Sequence, residues 1–128
     1  MSKYAFPAVF RKEDNNYFVE FPDLPCATVG TDIANAISRA EDALALLLYT
    51  YETEKKKIPV PSTIGDIIVD DGFVNYVICD TISYAKRFNN RAVKKTLTIP
   101  EWLNEAATSA GINFSQVLQD ALKERLKV

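Results

Sequence analysis

The chain has 128 residues, 48% of them apolar, and a formal net charge of −2, which suits one domain or two small ones and does not mark the whole as a nucleic-acid binder. Histidine is absent, which removes the commonest general base and metal ligand, and the four glycines form no phosphate-cradling loop. No apolar run approaches a membrane span, no signal-peptide pattern opens the chain, and Cys26 and Cys79 give neither a disulfide framework nor metal spacing, so a cytoplasmic protein with sequestered thiols is expected.

The first predicted element is a strand over Lys3–Arg11. Tyr4, Phe6, Ala8 and Phe10 share one phase and Ala5 and Val9 the other, so both faces are apolar and a central position is expected. Pro7 predicts a bulge or an edge at that point. Lys12 to Asn16 is a polar turn with asparagine suited to positive φ, and Tyr17–Phe21 returns as the second strand of a hairpin. Pro22 and Pro25 stiffen the exit, and Cys26–Val29 forms a third short strand.

Gly30-Thr31-Asp32 opens the main helix, with Thr31 or Asp32 as cap. Ile33, Ala36, Ile37, Ala40, Leu44, Leu47, Leu48 and Tyr51 recur at three- and four-residue steps, the stripe of a helix lying on a sheet. Lys55, Lys56 and Lys57 solvate its negative end. An extended connector, Ile58-Pro59-Val60-Pro61-Ser62, leads to a turn over Thr63–Asp70 with Ile64, Ile67 and Ile68 as buried anchors. Asp70-Asp71-Gly72 is a further turn. Phe73–Cys79 is a returning strand, and Asp80 or Thr81 caps a short helix through Ala85. Residues 86–92 read as a linker.

The last segment reads Val-Lys-Lys-Thr-Leu-Thr-Ile-Pro over 93–100. Val93, Leu97 and Ile99 fall on one side of an extended chain and Lys94, Thr96 and Thr98 on the other; Lys95 interrupts the apolar phase. Pro100 opens a first helix, Gly111 stops it in a left-handed conformation, and Asn113 or Ser115 caps a second. One strand and two helices cannot close a core alone, so the strand pairs with its copy about a two-fold axis. Trp102, Leu103, Ala106, Val117, Leu118, Ala121 and Leu122 then form the shared core. The paired ribbon fits the major groove of DNA, with Lys94, Thr96 and Thr98 at the bases. The helix start at Asn113, Phe114 and Ser115 suits a phosphate. Charge follows the same division. Residues 1–90 carry nine Lys and Arg against thirteen Asp and Glu, and residues 91–128 carry six against four.

The Lys-x-Thr-x-Thr-Ile-Pro strand and the Gly-Ile-Asn-Phe-Ser-Gln helix start resemble the ribbon-helix-helix family of dimeric DNA-binding proteins. Residues 3–85 resemble the HicB family of antitoxins through Phe21-Pro22-Asp23-Leu24-Pro25 and the Ile-Pro-x-Pro-Ser connector after the helix. Cys26 stands where that family usually has glycine. The resemblance implies a reduced ribonuclease-H-like domain followed by a DNA-binding module. It also implies a partner, HicA, a small mRNA-cleaving toxin whose active site the antitoxin covers, and repression of the shared operon.

The expected fold is therefore α+β. An N-terminal antiparallel sheet with a packed helix, residues 1–85, precedes a ribbon-helix-helix module, residues 93–128, that dimerises and allows a higher oligomer. A nuclease reading fails on residue placement: Lys3–Lys12 has no acid, and Asp66, Asp70, Asp71 and Asp80 lie scattered in turns and strand ends. No catalytic residue, metal or cofactor is expected. Tyr17, Glu20 and Asp23 are the candidate toxin-facing residues. The alternative is a free-standing repressor with a ligand-sensing N-terminal domain.

Overall fold

The chain first reverses at Asp14, whose φ of +52° is left-handed. A short acidic side chain tolerates that conformation, so the position expected of asparagine is held by aspartate. In the computed structural model, which describes residues 1–128, this turn joins β1 (Lys3–Glu13) to β2 (Asn16–Phe21), with Glu13 opposite Asn16 and Val9 opposite Glu20. β3 (Cys26–Gly30) and β4 (Phe73–Asp80) complete a four-stranded antiparallel sheet in the order β3-β2-β1-β4. β1 is central, and Phe6 through Phe10 are buried without interruption, as a strand covered on both faces requires. Pairing with β2 begins only at Val9, so Pro7 has a neighbouring strand on one side alone and its missing N–H is tolerated.

The helix α1 (Ile33–Thr53) crosses one face of the sheet. Asp32 caps it, its carboxylate accepting from the Asn35 N–H at 2.8 Å. Ala36, Ala40, Leu44 and Leu48 are fully buried against Phe6, Phe10, Val19 and Val77. Gly30 permits this approach: a Cβ there would overlap the Ala36 backbone. Because Ala36 makes that contact, Ile33 and Ile37 stay more than a third exposed, although their spacing placed them on the buried stripe. The helix ends with Lys55 at φ +57°. The Lys56 N–H bonds the Tyr51 carbonyl at 2.8 Å and the Lys55 N–H bonds that of Glu52 at 3.2 Å, the paired closure of a left-handed helix stop.

The connector packs Ile58 on the core and makes a short 3-10 turn at Ile64–Asp66 that lies against β4. Ile64 and Ile67 are half-buried, but Ile68 is 92% exposed. Adjacent residues of an extended chain point opposite ways, so Ile67 and Ile68 cannot both be anchors. Gly72, at φ +110°, lies where a Cβ would strike the Phe10 carbonyl, and Phe73 stacks on Phe10 with ring centroids 4.9 Å apart. Asp80 caps α2 (Thr81–Phe88), accepting from the Ile82 and Ser83 N–H groups. This helix runs three residues past Ala85, so Lys86, Arg87 and Phe88 are helical and not linker.

Residues divide into two compact units, Met1–Asn90 and Arg91–Val128. In the second, Pro100 is the cap of α3 (Glu101–Ser109), not its first residue, its carbonyl accepting from the Asn104 N–H at 3.1 Å. Gly111, at φ +71°, stops the helix, with the Ile112 N–H on the Ala107 carbonyl and the Gly111 N–H on that of Thr108. Asn113 caps α4 (Phe114–Leu126) by accepting from the Gln116 N–H at 3.0 Å. Val93–Ile99 forms no strand in the single chain; a strand needs a partner, and the chain supplies none. No helix is long and apolar enough to cross a membrane.

Candidate nucleic-acid and protein interfaces

The second unit buries no residue. The run Val93–Ile99 and α4 instead form an open apolar groove lined by Lys95, Leu97 and Ile99 on one side and Phe114, Val117 and Leu118 on the other. Lys95, Leu97 and Ile99 of the run line this groove together; Val93, 79% exposed, does not, although it shares their phase, and Lys94, Thr96 and Thr98 also lie off it and are exposed. The alkyl stem of Lys95 can lie along apolar surface while its ammonium stays wet. Trp102, 68% exposed, leaves a large ring uncovered on α3.

At the start of α4 the Asn113 carboxamide oxygen is engaged as the cap. Phe114 and Ser115 line the groove. What this end offers an anion is backbone: the first N–H groups of a helix have no intrahelical acceptor.

In the first unit the three candidate residues do not form one patch. Side chains alternate along β2, so Tyr17 shares the helix-covered face with Val19 and Phe21 and packs against the core. Glu20 lies on the other face and pairs with Arg11 at 2.7 Å, which pushes the Arg11 guanidinium pKa up. Asp23 is already engaged. Its carboxylate accepts from the Ser62 N–H at 2.9 Å and from the Ser62 hydroxyl. The Pro-Asp turn and the Pro-x-Pro-Ser connector are therefore one latch, a pairing that sequence reading missed. The available signal was a carboxylate between two prolines and a serine just after two others.

Burial pushes the Cys26 thiol up and, with Asp80, Glu52 and Glu41 adding to it, pushes Cys79 up to about 12. Both thiols therefore favour the neutral form. Glu52 joins three elements: its carboxylate accepts from the Tyr4 hydroxyl at 2.7 Å and the Thr81 hydroxyl at 3.2 Å. Asp66, Asp70, Asp71 and Asp80 do not converge, and no three His, Cys, Asp or Glu side chains are grouped to hold a metal.

A family profile described as "HicB_like antitoxin of bacterial toxin-antitoxin system" matches residues 6–121. Two relatives come from Photorhabdus laumondii subsp. laumondii. Antitoxin HicB 2 is 36% identical over 72 residues, 55% of this chain and 52% of its own length. Antitoxin HicB 1 is 41% identical over 59 residues, 45% of this chain and 38% of its own. The chain thus spans about half or less of the curated relatives it matches. Among solved structures, a chain of a toxin–antitoxin complex from Streptococcus pneumoniae superposes with a TM-score of 0.62 at 28% identity, covering 96% of this chain and 99% of that one. An antitoxin HicB3 crystal structure gives 0.51 at 27% identity, covering 95% and 97%. The Burkholderia pseudomallei antitoxin HicB gives 0.51 at 20% identity over 96% and 98%, a likeness of fold.

Proposed function

The chain belongs to the HicB-like antitoxin family of bacterial toxin–antitoxin systems, and on that premise we propose that its first unit binds and blocks a HicA-like mRNA-cleaving toxin while its second represses the operon as a ribbon-helix-helix dimer. The single observation that carries the toxin-blocking role is the superposition, over almost the whole chain, on a component of a toxin–antitoxin complex. The first unit acts as a reduced ribonuclease-H-like scaffold for binding, without catalysis of its own.

Operator binding is supported by the state of the second unit. A module with no buried residue and an unpaired run at Val93–Ile99 is incomplete as a monomer. Two copies pairing at Val93–Ile99 would close the apolar groove and set Lys94, Thr96 and Thr98 on one face of a two-stranded ribbon. Thr96 and Thr98 would donate or accept at base edges, Lys94 would reach guanine or phosphate, and the α4 start would hold a phosphate. The test is an electrophoretic shift with the upstream DNA beside an RNA-cleavage assay of the toxin. Wild-type chain is expected to shift the DNA and stop cleavage. Lys94→Ala with Thr96→Ala is expected to lose the shift and keep the inhibition; the reverse result overturns this division of labour.

A further inference from the structure

One edge of the sheet is β4, and the direction of its backbone groups follows from the pairing. Pro7 stands opposite Tyr76 and has no N–H, so the two cannot exchange the hydrogen bonds of a bonded pair. The hairpin gives the same parity. Glu13 and Asn16 flank a two-residue turn as a bonded pair, so odd residues of β1 turn their backbone groups to β2 and even ones to β4. The partners of Phe6 and Ala8 are Val77 and Asn75, which bond inward. Tyr76, Ile78 and Asp80 therefore present their backbone groups outward. The Tyr76 N–H is taken by the Asn75 side chain at 2.9 Å.

Beyond that side-chain cap, the strand carries neither of the residues that most often block an edge. Phe73–Asp80 contains no lysine and no proline, and Tyr76 and Ile78 are 44% and 61% exposed. Beside Ile78 a groove runs between β4, α1 and α2, and its charged lining is Glu41, Asp42 and Asp80 against Arg87 alone. Arg87 is itself paired with Asp42 at 3.6 Å.

We propose that Tyr76–Asp80 accepts an extended, lysine- or arginine-bearing segment of the toxin as a fifth strand, with Glu41 and Asp42 pairing its cations. The proposal rests on the antitoxin reading above and locates the contact. Main-chain bonds along the edge would supply affinity, and the carboxylates the choice of partner. Charge also decides against a second copy. Two β4 strands pairing about a two-fold axis would put both α1 helices on one face, with Glu41 and Asp42 turned toward their own duplicates. An enzyme that cleaves mRNA must instead carry cations for the phosphates.

Hydrogen–deuterium exchange on the full chain, with and without the purified toxin, tests this. Bound toxin is expected to slow exchange at the Ile78 and Asp80 amides. Glu41→Lys with Asp42→Lys, both exposed positions, is expected to weaken toxin binding by about tenfold or more, a loss that shrinks as salt rises. An unchanged circular dichroism spectrum checks the fold of the variant. Toxin that binds without slowing those amides, or that binds the double variant at full strength, overturns the edge and leaves the antitoxin reading standing. A wild-type chain that binds no toxin overturns both. Protection of the same amides without toxin, rising with chain concentration, assigns the edge to a second copy and overturns the proposal.

Discussion

Asp23 holds Ser62, 39 positions away, by its backbone N–H and its hydroxyl at once. One carboxylate thereby ties the turn after β2 to the connector after α1. Truncating it leaves a part-buried N–H without its acceptor. Asp23→Ala is expected to lower stability by about 1–3 kcal/mol, read as a lower urea midpoint at unchanged slope. Ser62→Ala removes only the hydroxyl bond and should cost less. Toxin affinity at low temperature, where both variants are folded, is expected to stay near wild type, because the carboxylate is already spent inside the unit.

Two substitutions on either side of α1 should move stability in opposite directions. Lys55 closes α1 at φ +57°, a conformation that costs a side chain about 1 kcal/mol and glycine almost nothing. Lys55→Gly is expected to raise stability by about that amount. Gly30 has ordinary φ but no room, since an added Cβ meets the Ala36 backbone. Gly30→Ala is expected to cost about 1–3 kcal/mol or more by prising α1 from the sheet. Thermal melts of the two variants and the wild type check both signs.

The Cys79 thiol gives a pH dependence. Its folded pKa is raised, to about 12 from an ordinary 9.0, so the native state keeps a proton that the unfolded chain loses. That contribution to stability is complete below pH 9 and is lost as pH climbs toward 12. Stability measured between those limits is expected to fall, and to fall less steeply in Cys79→Ala. Thiol labelling of native protein at pH 8 should be slow at Cys79 and become fast on unfolding.

Much of this fold is legible in the sequence because local rules and tertiary packing agree. Asp32, Asp80 and Asn113 cap the helices that follow them, and Gly111 stops α3, because each choice answers an orphan backbone group within a few residues. The alternation in β1 marks a strand buried on both faces. Legibility ends where an outcome depends on distant atoms. The periodicity of α1 cannot show that Ala36 meets Gly30 and leaves Ile33 and Ile37 wet. Nor can it show that Ile68 turns away from the core beside Ile67. Tyr17, Glu20 and Asp23 read as one cluster along the chain, yet strand alternation sends the first two to opposite faces and the latch takes the third. The edge at β4 is invisible until Pro7 is seen opposite Tyr76.

The second unit carries the sharpest separation of roles. Leu97 lines the groove beside α4 and is 57% exposed in the single chain. In a two-fold dimer it would be buried once in each copy, about 1.5–3 kcal/mol per side chain. Leu97→Glu forfeits both contributions and places two carboxylates near the axis, so the dissociation constant of the dimer should rise by about two orders of magnitude or more. Sedimentation at micromolar concentration is expected to show a monomer, and the operator shift should vanish with it, because one ribbon strand cannot fill a major groove. Thr98→Ala alters the polar face alone: it should leave the dimer intact and weaken operator binding by about 1–3 kcal/mol. Toxin inhibition is expected to survive both changes if the first unit carries it. A Leu97→Glu chain that remains dimeric would place the self-association somewhere other than Val93–Ile99.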